Sequence, residues 1–224
     1  MSLNLPTPIS YLITSGATTS HSNPASKDFQ HVVALVRAAT KAGVSLIQLR
    51  EKNLTARTLF DLTVRCAAIT RGTNTRLLVN DRADLARAAH ADGVHLTTRS
   101  IEARIIRRTF GTDFLIGVST HTLAEARAAR DGGADFAVFG PIFDTESKRA
   151  YGSPVGVESL REAAQALSPF PLIALGGVTL ENAPDVFSAG AKGVAAIRLF
   201  SEAQNISQTV RSLQSLNYSR KRVC

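Results

Sequence analysis

Short apolar runs and helix-patterned segments alternate along this chain from end to end. That alternation constrains the fold more than any single motif does. Tyr11–Thr14, Leu46–Leu49, Leu77–Val79, Val94–Leu96, Phe114–Val118, Phe136–Phe139, Pro171–Leu175 and Val194–Ile197 read as strands. The segments Phe29–Ala42, Thr55–Arg71, Asp84–Ala89, Ile101–Thr109, Thr122–Asp131, Val157–Leu167, Leu180–Ser188 and Asn205–Leu216 read as helices. Ser100 is placed to cap the fourth of these, with Glu102 in its first turn. The strands are apolar at consecutive positions, as expected when both faces of a parallel sheet are covered. Three helix-to-strand turns share a glycine, in Lys41-Ala-Gly-Val44, Asp131-Gly-Gly-Ala-Asp135 and Ser188-Ala-Gly-Ala-Lys192, which suits a left-handed helix stop. Eight such units in 224 residues predict an α/β fold, one (β/α)8 TIM barrel over residues 1–224. Residues 1–10 form a lead-in and 217–224 a basic tail. A doubly wound open sheet is disfavoured, because no GxGxxG follows the first strand.

Composition excludes several classes of function. No apolar run approaches the ~20 residues of a membrane span. The start, MSLNLPTPIS, lacks the basic and apolar regions of a signal peptide. Cys66 and Cys224 form no CxxC or metal pattern, so a cytoplasmic location is expected. The net charge of +8 attracts anions such as nucleic acid or phosphorylated metabolites. Part of the excess lies in Arg220-Lys221-Arg222 and part in Arg104, Arg107 and Arg108. No aromatic side chain is interleaved with these cations and Trp is absent, which argues against a specific nucleic-acid partner.

In a barrel, ligand chemistry gathers at the C-terminal ends of the strands. Gln48, Arg50, Glu51 and Lys52 follow the second strand, Asn80, Asp81 and Arg82 the third, and Ser119 and His121 the fifth. Gly176-Gly177 follows the seventh and Ile197-Arg198 ends the eighth, while His95, inside an apolar strand, reads as a satisfied core residue. After the sixth strand, Gly140-Pro141 opens a long polar loop with Thr145, Ser147, Lys148 and Arg149. Hydroxyls beside cations suit the many oxygens of a phosphate. Arg50, Lys52 and Lys148 supply enough positive charge for a pyrophosphate, and Asp81 is a hard oxygen ligand for Mg²⁺. Gly176-Gly177 lets backbone N–H groups approach a second phosphate. Two phosphate sites and one metal point to a transfer in which pyrophosphate leaves. No Ser-His-Asp order, HExxH or nucleophile elbow supports hydrolysis.

Gln48-Leu-Arg-Glu-Lys52, Val79-Asn-Asp-Arg82, Asp92-Gly-Val-His-Leu96, Gly117-Val-Ser-Thr-His121, Gly140-Pro-Ile-Phe143, Thr145-Glu-Ser-Lys148 and Ala174-Leu-Gly-Gly-Val178 occur in that order. Together they resemble the thiamine phosphate synthases and their sister group, the thiazole tautomerases, over the stretch from Tyr11 to Leu199. The resemblance implies a transferase of thiamine biosynthesis, joining aminopyrimidine methyl pyrophosphate to thiazole phosphate and releasing pyrophosphate. It implies early departure of pyrophosphate and capture of a pyrimidine carbocation by the thiazole nitrogen. Gln48, Arg50, Lys52, Asn80, Ser119 and Lys148 would hold the pyrimidine pyrophosphate, and Asp81 the Mg²⁺. Thr145, Ser147, Gly177 and the Ile197-Arg198 pair, with Gly176 beside them, would hold the thiazole phosphate. The catalytic set is then Arg50, Lys52, Ser119, His121 and Lys148, acting on small phosphorylated substrates. A homo-oligomer is compatible with this reading.

Two departures stand out. The family follows its VHL motif with Gly-Gln-x-Asp, whose aspartate is a second Mg²⁺ ligand; here Ser100 takes that place. At the eighth strand Arg198 replaces the family's phosphate-binding serine. Arg99 and Arg198 are therefore expected to shift charge compensation from metal to guanidinium. The same departures suit a tautomerase, a metal-free proton transfer for which the imidazole of His121 is the candidate acid–base group. Against it, the pyrophosphate motifs at Gln48–Lys52, Asp81 and Lys148 are retained. A non-catalytic basic barrel that binds RNA or acts as a regulator rests on net charge alone. Residues 15–28, small and polar, are either a lid over the mouth or a mobile loop.

Overall fold

The computed structural model describes residues 6–144 and 153–220. Eight parallel strands close in chain order: β1 (Ile9–Ile13), β2 (Leu46–Leu49), β3 (Arg76–Asn80), β4 (Gly93–Leu96), β5 (Leu115–Thr120), β6 (Phe136–Phe139), β7 (Leu172–Leu175) and β8 (Gly193–Ala196). β8 pairs back onto β1, with Tyr11 opposite Ala195, so no sheet edge is left open. Outside lie α1 (Lys27–Lys41), α2 (Ala56–Thr70), α3 (Ala83–Ala88), α4 (Ala103–Phe110), α5 (Leu123–Asp131), α6 (Gly156–Leu167), α7 (Ala183–Ser188), α8 (Arg198–Ser201) and α9 (Ile206–Arg220). The chain is a (β/α)8 TIM barrel.

Strand parity divides the core in two. Ile9, Tyr11, Ile13, Leu46, Leu78, Phe136, Val138, Ile173 and Ala195 form one cluster, which fills the barrel interior. The alternate residues, among them Leu12, Ile47, Val79, Val94 and Ala137, pack with the helices in a second cluster. The inward set continues past the apolar layer to Gln48 on β2, Asn80 on β3, His95 on β4 and Ser119 on β5. Inward space is tight: a Cβ on Gly117 would lie 2.4 Å from the Phe136 ring and 2.8 Å from His95 Nδ1.

Two readings change. Ser100 does not cap α4: Glu102 is at the N-cap position, and the Ser100 hydroxyl instead accepts the Thr97 amide in a tight turn ahead of the helix. The short α8 follows β8 where a bare strand end was expected. Of the arginines on α4, Arg104 and Arg107 are both ion-paired. Arg107 pairs with Asp135 at 2.7 Å and donates to the carbonyls of Gly111, Phe114 and Gly133, while Arg104 pairs with Glu102. Among the described residues no helix is long and apolar enough to cross a membrane.

Candidate active site at the C-terminal rim

A chain of polar contacts runs across the rim from β2 to the turn after β4. Gln48 Nε2 donates to Asn80 Oδ1 at 3.2 Å, and Asn80 Nδ2 donates to Asp81 Oδ2 at 2.9 Å. The Ser100 hydroxyl donates to Asp81 Oδ1. Asp81 adopts φ 58°, a left-handed conformation that an aspartate tolerates better than most side chains, and its amide donates to the His95 carbonyl. The carboxylate therefore stands at the rim, held by Asn80 at the end of β3 and by Ser100 in the turn after β4. Gln48 and Asn80 are buried beneath it, whereas Asp81 is exposed.

A second chain rises from inside the barrel. The Tyr11 hydroxyl lies 3.0 Å from His95 Nδ1, and His95 Nε2 lies 2.9 Å from Ser119 Oγ. The rings of Tyr11, His95 and Phe136 pack together at tilted angles, with those of Tyr11 and Phe136 edge-on at 5.7 Å. Burial holds the His95 imidazole neutral, its pKa pushed down to about 3. His95 is thus a satisfied core residue, and it carries the Ser119 hydroxyl on its outer nitrogen. His121, exposed beyond the end of β5, donates from Nδ1 to the Gly140 carbonyl.

Residues 15–28 are anchored rather than loose. The Glu51 carboxylate, 2% exposed, accepts from the amides of Gly16 and Thr18 and from the Thr18 hydroxyl. Asn53 adds a hydrogen bond to the Thr18 carbonyl. Gly16 lies against the Arg50 backbone, whose amide donates to Thr14. Glu51 therefore holds the first loop beside Arg50, a role that its place among cations in the motif did not reveal. Arg50 is half-buried and Lys52 is exposed.

Across the mouth, Gly176 and Gly177 have φ 99° and 66°. A Cβ on Gly176 would meet Pro141 at 2.5 Å, and one on Gly177 would meet Phe143 at 2.7 Å. The turn is thereby confined to glycine on two counts, conformation and space. Asn182 Nδ2 holds the Gly177 carbonyl at 2.9 Å. Ile197 is the N-cap residue of α8, and Arg198 is its exposed first residue. A short extra helix after strand 8 is a recurrent part of barrel phosphate sites. Thr145, Ser147, Lys148 and Arg149 lie outside the described residues. Between α4 and α5 a cleft of about 640 Å³ opens beside Thr97, Ser100, Ile101, Val118 and Ser119.

Residues 17–200 match the profile of the thiamine monophosphate synthase family. The chain belongs to that family. It is 43% identical to a putative thiamine-phosphate synthase of Geobacter sulfurreducens over 83% of this chain and 86% of that one. It is 40% identical to the thiamine-phosphate synthase of Moorella thermoacetica, over 81% and 86% of the two chains. A solved structure of thiamine phosphate pyrophosphorylase from Pyrococcus furiosus superposes with a TM-score of 0.78 at 27% identity, covering 94% of this chain and 96% of that one.

Proposed function

We infer that this protein is a thiamine-phosphate synthase, joining aminopyrimidine methyl pyrophosphate to thiazole phosphate with release of pyrophosphate. The observation that carries this reading is the continuous rim network, Gln48–Asn80–Asp81–Ser100, in a chain of this family. A leaving pyrophosphate needs fixed donors and positive charge more than it needs a nucleophile from the protein. Arg50, Lys52 and Lys148 supply the charge, and Gln48, Asn80 and Ser119 supply hydrogen bonds in defined directions. The Gly176-Gly177 turn, Thr145, Ser147, Ile197 and Arg198 hold the phosphate of the attacking thiazole. Holding both partners in one mouth turns a bimolecular capture into a positioned one.

The rim suits Mg²⁺ as well. The donors are oxygens, a carboxylate at Asp81 and the hydroxyl of Ser100, and Mg²⁺ takes one or two carboxylates plus phosphate oxygens and water. Among the described residues no group of three His, Cys, Asp or Glu converges, so substrate oxygens would complete the shell. The ion would neutralise charge developing on the departing pyrophosphate. The ligand-free work of the protein is to hold Asp81 in place, which Asn80 and Ser100 do from either side.

The test is direct. Purified protein is mixed with both phosphorylated halves and Mg²⁺, and thiamine phosphate is followed as its fluorescent oxidation product. Product that EDTA and Asp81→Ala both abolish is expected. A folded protein that forms none would end the synthase reading. His121, exposed at the rim and oriented by its Nδ1 contact with the Gly140 carbonyl, makes thiazole tautomerisation the reading to try next, by comparing wild type with His121→Ala.

A further inference from the structure

The contacts beneath Ser119 determine which way its proton points. Tyr11 is fully buried, and among the described residues the partner of its hydroxyl is His95 Nδ1. A buried O–H must donate to something, and a ring nitrogen accepts only when it carries no proton. Nδ1 is therefore bare, and the neutral ring carries its hydrogen on Nε2. Nε2 then donates to Ser119 Oγ, 2.9 Å away. With that lone pair taken by a donor below, the Ser119 proton is turned outward to the barrel mouth. The opposite tautomer would leave the buried Tyr11 hydroxyl without an acceptor among the described residues and would draw the Ser119 proton inward.

We propose that Tyr11 is a positioning residue: it selects the Nε2–H tautomer of His95 and so makes Ser119 a hydrogen-bond donor toward the ligand. The geometry supports this independently of any ligand. Tyr11 and His95 stand on β1 and β4, three strands apart and not paired with each other, and they meet through the barrel interior. Gly117 leaves the space for that meeting, since a Cβ there would lie 2.8 Å from Nδ1. Phe136 closes the third side, with its ring 6.2 Å from that of His95. Tyr11→Phe removes one oxygen and keeps the ring that packs there. The identity of the ligand, a pyrophosphate-bearing pyrimidine, rests on the synthase reading; the tautomer does not.

Two measurements on the full-length protein test the proposal. Long-range proton–nitrogen correlation spectra of protein labelled at histidine nitrogen report which ring nitrogen of His95 is protonated. Wild type and Ser119→Ala are expected to show Nε2–H, because control comes from the inner side, and Tyr11→Phe to populate Nδ1–H. In the thiamine phosphate assay, Tyr11→Phe is expected to lower kcat about tenfold with KM within about twofold, the scale of one misdirected hydrogen bond. In a Ser119→Ala background the same change is expected to add little, since the group it directs is gone. Nδ1–H in wild type, an unmoved tautomer in Tyr11→Phe, or additive kinetic losses would each overturn the proposal. If the wild type formed no thiamine phosphate, the synthase reading would fail, while the spectra would still decide the tautomer.

Discussion

Acid should destabilise this barrel through one buried imidazole. His95 is buried in the core, and burial pushes its pKa down to about 3. In the unfolded chain a histidine takes up a proton near pH 6.5. The folded value lies below the unfolded one, so between the two the unfolded state binds more protons and stability falls as the pH falls. Each unit below the unfolded value adds about 1.4 kcal/mol. From pH 7, where the effect is roughly 0.2 kcal/mol, to pH 5, the loss reaches about 2 kcal/mol. That figure depends on the unfolded value, and the folded one matters little while it stays below about 4. Urea unfolding followed by circular dichroism, in EDTA, at pH 7 and pH 5, measures it. Wild type should lose about 2 kcal/mol more than His95→Gln over that interval, because the other histidines are common to both. Equal losses in the two proteins would refute the claim that His95 is held neutral.

Three further perturbations follow from named contacts. Glu51→Ala removes a buried carboxylate that accepts three hydrogen bonds from Gly16 and Thr18, so it should cost about 2 kcal/mol and raise amide exchange at residues 16–18. Unchanged exchange there would show that the first loop is held by something else. Arg107→Ala removes the cation from Asp135, whose carboxylate keeps the Ile116 amide, and a donor from three carbonyls, so a loss of about 3 kcal/mol in urea unfolding is expected, little reduced by salt because both side chains are mostly shielded. Arg198→Ala should raise KM for thiazole phosphate about tenfold with little change in KM for the pyrimidine pyrophosphate, since one guanidinium–phosphate contact has that scale. Equal effects on both substrates would place Arg198 outside the thiazole phosphate site.

The alternation of runs such as Leu46–Leu49 with helical segments such as Thr55–Arg71 was enough to derive eight units and a closed barrel. Local chemistry, in short apolar strands and glycine stops, determines that much. It also placed Gln48, Asn80, Asp81 and Ser119 at one rim, because position along a strand follows from order in the chain. The direction of each side chain was not legible. Both strand faces are apolar in a helix-covered barrel, so the sequence gives no alternation from which to tell inward from outward. Closure decides it, and closure alone brings Tyr11 of β1 to His95 of β4 through the barrel interior. The roles of Glu51 and Arg107 were hidden for a related reason. A charge beside other charges in sequence reads as binding or surface, until the fold sets Glu51 under the first loop and Arg107 against Asp135. Ser100 is mixed: spacing suggested a helix cap, which Glu102 takes, whereas the resemblance set Ser100 in the place of a second metal ligand, and the turn after β4 does carry it to Asp81. What the sequence determined is the set of elements and the groups at their ends, both local properties. What the tertiary structure decided is which of those groups meet, because contacts between distant residues depend on barrel closure and strand parity.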